Sequence, residues 1–92
     1  MIKTGKIIDS ENNGIPGAII VESDSTGNFK TPITKVIESD VNGNFTGDFK
    51  TNTFYTASYT GTKKVTFNSQ QVPDLIKLID DNTLPEITVE SK

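Results

Sequence analysis

Turn-forming clusters recur about every eight to twelve residues along this chain, a spacing that leaves room for short strands and little room for alternating helices and strands. They are Asn12-Asn13-Gly14, Ser25-Thr26-Gly27-Asn28, Asp40-Val41-Asn42-Gly43, Thr51-Asn52, Gly61-Thr62 and Asn68-Ser69. Glycine and asparagine reach positive φ at low steric cost, as tight reversals demand. The segments between them are rich in Ile, Val, Thr, Phe and Tyr, which suit a pleated, half-buried surface. Strands are therefore expected at about residues 3–9, 18–23, 33–39, 44–49, 54–60, 63–67 and 74–80, with an eighth candidate at 86–90.

Side-chain alternation assigns faces. In Phe54-Tyr55-Thr56-Ala57-Ser58-Tyr59 the set Tyr55, Ala57 and Tyr59 is expected to face the core. Val65 and Phe67 point together, and in the following segment Leu75 competes with Ile76 or Leu78 for the inward face. Residues 72–79 also fit a short helix with Pro73 in its first turn, but the run is short and isoleucine-rich, so strand is the preferred reading. Asn42-Gly43 is the dipeptide that favours a type I′ hairpin, after which Phe45 would return to the core. No internal repeat, low-complexity tract or interior linker is evident. The composition shifts near the end, where Asp80-Asp81-Asn82-Thr83 gives way to an extended, alternating stretch. The expected organisation is a β-sandwich over 1–82 and a tail over 83–92.

Composition narrows the function. A chain of 92 residues supports one domain with one modest core. Nine lysines, no arginine and twelve acidic residues give a net charge of −3, the wrong sign for neutralising phosphates, so nucleic acid is not an expected partner. Without cysteine or histidine the chain lacks thiolate chemistry, the commonest general base and the commonest zinc ligands. The longest apolar run, Ala18-Ile19-Ile20-Val21, is too short for a signal peptide or a membrane span, so no membrane insertion is expected.

Calcium is the one cofactor the oxygen-rich composition could hold. Asp9, Glu11, Asn13 and Gly14 match the opening of an EF-hand loop, but Ile20 stands where a bidentate glutamate is needed. Asp40, Asn42 and Asn44 match likewise, but Phe45 replaces the glycine and Thr51 the glutamate. These residues read as turn formers bonded to their own backbone, and no cofactor is expected. No Gly-x-Ser-x-Gly elbow exists, no glycine-rich loop precedes a helix, and Asp80-Asp81 lies in a solvated turn, so catalysis is not expected. Asn44-Phe45-Thr46 fits a glycosylation sequon, yet Phe45 is better explained as core. Tyr55 and Tyr59 could anchor a partner, but strand spacing favours burial for both. The sheet edges and the tail remain as recognition surfaces, with Leu84, Pro85, Ile87, Thr88 and Val89 as candidate partner-binding residues in a strand donated to a neighbour.

Read in order, Gly5-Lys6-Ile7-Ile8-Asp9, Gly14-Ile15-Pro16-Gly17-Ala18, Ser39-Asp40-Val41-Asn42-Gly43-Asn44-Phe45 and Ala57-Ser58-Tyr59-Thr60-Gly61 resemble the carboxypeptidase regulatory-like domain. The resemblance covers roughly residues 3–80 and implies a single all-β, Ig-like or transthyretin-like sandwich of about seven antiparallel strands, plus an extended C-terminal segment. Such domains are accessory modules on many unrelated proteins. Thr83-Leu84-Pro85-Glu86-Ile87-Thr88-Val89 resembles both the segment that follows this domain in TonB-dependent outer-membrane transporters of Bacteroidetes and the endings of small proteins of phages that infect those bacteria. The leading expectation is a non-enzymatic decoration protein of a phage virion, made in the bacterial cytoplasm and bound to capsid or tail proteins. The alternatives are a periplasmic accessory domain of an outer-membrane uptake protein and a calcium- or carbohydrate-binding module.

Overall fold

In the computed structural model, which describes residues 1–81, the short segments pair into two sheets packed face to face. The strands are β1 (Ile2–Ile8), β2 (Ile19–Glu22), β3 (Ile37–Glu38), β4 (Asn44–Asp48), β5 (Phe54–Ser58), β6 (Val65–Asn68) and β7 (Leu75–Lys77). One sheet has the order β4-β1-β7 and the other β3-β2-β5-β6. All seven strands expected between residues 3 and 80 are present, and residues 75–77 are strand and not helix. The eighth candidate at 86–90 and the tail at 83–92 lie outside the described residues.

The fold is an all-β sandwich, with one departure from an antiparallel pattern. β7 runs parallel to β1, with Ile76 opposite Ile7. Between β6 and β7 the chain makes a 3-10 turn, Ser69–Gln71, and crosses from one sheet to the other, so β7 enters its sheet in the same direction as β1. A crossover of this kind, unlike a tight hairpin, permits parallel pairing.

Three reversals share one construction. In each, an aspartate accepts two backbone N–H groups on a single oxygen: Asp9 Oδ1 from Glu11 and Asn13 (2.8 and 2.9 Å), Asp24 Oδ1 from Thr26 and Asn28 (2.9 and 3.0 Å), and Asp40 Oδ1 from Asn42 and Asn44 (2.9 Å each). In each, the aspartate N–H also donates to the carbonyl four residues on, and its carbonyl accepts from the residue three on. That third residue has positive φ: 67° at Asn12, 93° at Gly27 and 85° at Gly43. Asn42 is not among the positive-φ residues, so the loop at 40–44 is not the expected type I′ turn. The aspartate carboxylate sets a turn that needs one left-handed residue, not two.

Two of these loops also repeat in sequence, because residues 23–29 and 39–45 both read Ser-Asp-x-x-Gly-Asn-Phe. This short repeat corrects the expectation that the chain has none. Both leading serines are buried and tie neighbouring segments together. Ser39 Oγ donates to the Ile15 carbonyl (2.6 Å) and accepts from the Ala18 N–H (2.8 Å). Ser23 Oγ lies 2.7 Å from Thr56 Oγ1, which lies 2.7 Å from Thr66 Oγ1.

The core centres on Phe49, whose ring meets Phe45, Tyr55 and Phe67 edge-on at centroid distances of 6.5, 4.8 and 6.1 Å. Ile7, Ile20, Ile76 and Leu78 complete its aliphatic part. Inward assignment holds for Tyr55, Ala57 and Phe67, but Tyr59 falls beyond the end of β5 and is 41% exposed. Ile76 in β7 and Leu78 just after it are both buried and Leu75 is 57% exposed, because pairing Ile76 with the buried Ile7 fixes the register. Gly47 lets the Ile37 side chain pack close against β4, and a Cβ there would force that side chain to move.

The buried hydroxyl column Ser23–Thr56–Thr66 gives a direct test of this packing. Thr56→Val keeps the side-chain shape but leaves two hydroxyls without their shared partner, so it should lower stability by about 1–3 kcal/mol in urea denaturation. An unchanged unfolding midpoint would contradict the column's structural role.

Candidate functional site

The most distinctive surface arises where the edge of one sheet is interrupted. Ser23 bridges Phe29, and Lys30 N–H donates to the Glu22 carbonyl (3.0 Å), so residues 29–30 begin a strand along β2. A strand continuing that register would bring residue 32 opposite Ile20, yet Ile37 stands there, so five extra residues are looped out. Pro32, which has no N–H to donate, falls where the ladder fails, and its bond to Thr31 is cis. This is why the strand expected over 33–39 is reduced to Ile37–Glu38.

The loop shelters a groove of about 120 Å³. It is lined by Pro32, Ile33, Thr34 and Lys35 of the loop, by Ile20, Val21, Glu22, Ile37 and Tyr55 of the sheet, and by Lys30, Asp48 and Lys50 around them. Ile33 and Val36, branched apolar residues of this loop, are each 48% exposed. Cavities of about 150 Å³ hold a benzene-sized guest, so the groove has the scale of a branched aliphatic side chain.

Charge surrounds this apolar floor. Glu22 bonds Lys50 at 2.9 Å and Lys30 at 3.4 Å. The Lys50 hydrogen bond is the main reason the Glu22 carboxyl lies below its ordinary range, and Glu22 in turn raises the Lys50 ammonium above its own. Asp48 pairs with the amino group of Met1 (2.6 Å), which holds its carboxyl below the usual range. Lys35 makes no salt bridge among the described residues. Tyr55 is fixed beneath by donation from the Lys50 N–H to its hydroxyl (2.9 Å).

The residues singled out in the sequence go elsewhere. Asp9 and Asp40 use their oxygens on the loop backbones just described, and so act as turn formers. Phe45 is core, and Asn44 beside it is exposed. Asp80 pairs with Thr62, and Asp81 N–H donates to the Gly61 carbonyl (2.8 Å). Leu84, Pro85, Ile87, Thr88 and Val89 lie outside the described residues. No helix among the described residues is long and apolar enough to cross a membrane, and none of them form a group of three or more His, Cys, Asp or Glu able to hold a metal ion.

The groove itself was not anticipated from the sequence. The available signal was Pro32 at the mouth of an otherwise strand-like run, a position that marks a bulge or a strand end. Compared with protein-family models and with curated proteins, the chain matches none.

The acidic residues predict a pH dependence. Asp24 is held down to about 2, first by the Thr26 hydroxyl at 2.7 Å and then by the Asn28 amide. A carboxyl lowered in the folded state stabilises it above the unfolded value of 3.8, and that contribution is lost as pH falls through about 2. A carbon-detected NMR titration should therefore place the Asp24 midpoint at about 2, and Asp24→Asn should flatten the loss of stability over this window. A midpoint at 3.8 would show that the loop does not hold its carboxylate.

Proposed function

We propose that this protein is a non-catalytic interaction module that joins a larger protein assembly through its surface. The observation that carries this reading is the five-residue excursion at the sheet edge, which sets Ile33 on a lysine-bordered groove and leaves Val36 exposed in the same loop. Loops held by a rigid scaffold are common recognition surfaces, and an interrupted edge offers backbone groups for strand addition. The proposed contacts also include the tail residues Leu84, Pro85, Ile87, Thr88 and Val89, whose alternating pattern suits an added strand.

The narrower reading is an auxiliary protein of a phage virion that binds capsid or tail proteins. Its support is the resemblance of the tail to endings of small phage proteins, together with a net negative, lysine-bearing surface that has no arginine with which to grip nucleic acid. A subunit repeated on a shell needs modest affinity per contact, because neighbouring contacts act at high effective concentration.

Cross-linking mass spectrometry on the native particle tests this directly. The expected result is cross-links from Lys30, Lys35 or Lys50 to capsid or tail proteins. Cross-links confined to the chain itself, or turnover of a small molecule by the purified chain, would overturn the reading.

A further inference from the structure

We propose that the groove under residues 31–36 receives the C-terminal segment of a second copy of this chain, an inference that rests on the interaction-module reading above. The argument begins with complementarity. Three lysines border the groove against two carboxylates, and both carboxylates already have partners: Glu22 holds Lys30 and Lys50, and Asp48 holds the Met1 amino group. Lys35 makes no salt bridge among the described residues, although its charge helps to lower the Asp48 carboxyl after the Met1 amino group. The groove therefore favours an acidic occupant, although the chain as a whole carries a charge of −3.

The segment Pro85-Glu86-Ile87-Thr88-Val89-Glu90 has the matching pattern. In an extended chain Ile87 and Val89 share one face, and Glu86, Thr88 and Glu90 share the other. One aliphatic side chain suits the apolar floor beside Ile20, Ile33 and Ile37, while the glutamates meet the lysine border.

A second copy is favoured over the chain's own end by position. Asp81 is fixed to Gly61, beyond the end of β5, whereas the groove lies by Tyr55 at the start of β5 and across β2 on the opposite edge. The two points are separated by several residues along the strand direction and by two inter-strand steps of about 4.8 Å each. At about 3.3 Å per residue, a tail bound within one molecule would use about half of its length to reach the groove, a crossing that the tail of a second copy does not need.

Analytical ultracentrifugation of the full chain tests this with a charge exchange. The wild type should self-associate. Lys35→Glu alone, and Glu86→Lys with Glu90→Lys alone, should each weaken association at least tenfold while the circular dichroism and melting temperature stay unchanged. Mixing the two variants should restore association, since each then presents one matched groove and tail. Lys3→Glu, outside the groove, serves as the control and should leave association unchanged. A monomeric wild type at millimolar concentration, association insensitive to the tail reversal, or no recovery on mixing would each overturn the inference. Cross-links to other proteins in the native particle would still support the interaction-module reading, so the two can fail separately.

Discussion

An aspartate oxygen that accepts two backbone N–H groups holds three of the reversals in this chain. The motif occurs at Asp9, Asp24 and Asp40, each time with a left-handed residue three positions later. In the loops that start at Asp9 and Asp40 it secures neighbouring reversals, and the second is tied to β1 where Ile7 N–H donates to the Gly43 carbonyl (2.7 Å). A Cβ on Gly14 would lie 2.0 Å from the Asn42 carbonyl oxygen, so the two loops are packed backbone to backbone. With these reversals fixed, β1 and β4 are held in a register that aligns Gly5 with Phe45 and directs Phe45 inward.

The third loop works across a face instead of at an end. Asp24 orders residues 24–28, and the glycine within it lies close to Thr66 and Thr56, closing over the hydroxyl column on the outer side of its sheet. Polar groups buried in this way stabilise a structure when every partner is present. The chain then has to return to the edge of β2, and it does so in two pieces separated by the looped-out residues. The groove is thus a consequence of joining a loop that covers one face to a strand that must reach the next turn at Asp40.

Much of this was legible in the sequence because short β-branched runs between glycine and asparagine clusters admit few other folds. Tyr55 and Ala57 take the inward positions that alternation assigns to them, and Phe45 returns to the core as expected. The misreadings have specific causes. Tyr59 continues the alternation of β5 but lies past its last paired residue and is left 41% exposed. Asn42-Gly43 carries the hairpin dipeptide, but the Asp40 carboxylate outweighs that local preference by bonding two amides at once. Ile33 and Val36 are good strand residues held out of the ladder by a register that only tertiary pairing reveals. The groove escaped notice for the same reason, since its lining comes from segments distant in sequence.

In each of these three loops one aspartate oxygen is committed to two backbone amides. Amide hydrogen exchange measured by NMR at neutral pH tests that commitment most directly. The six amides of Glu11, Asn13, Thr26, Asn28, Asn42 and Asn44 should exchange much more slowly than free peptide, despite lying in exposed loops. Exchange at the free-peptide rate in these loops would mean that the aspartates do not hold the turns, and the account of this sandwich would fail at its foundation.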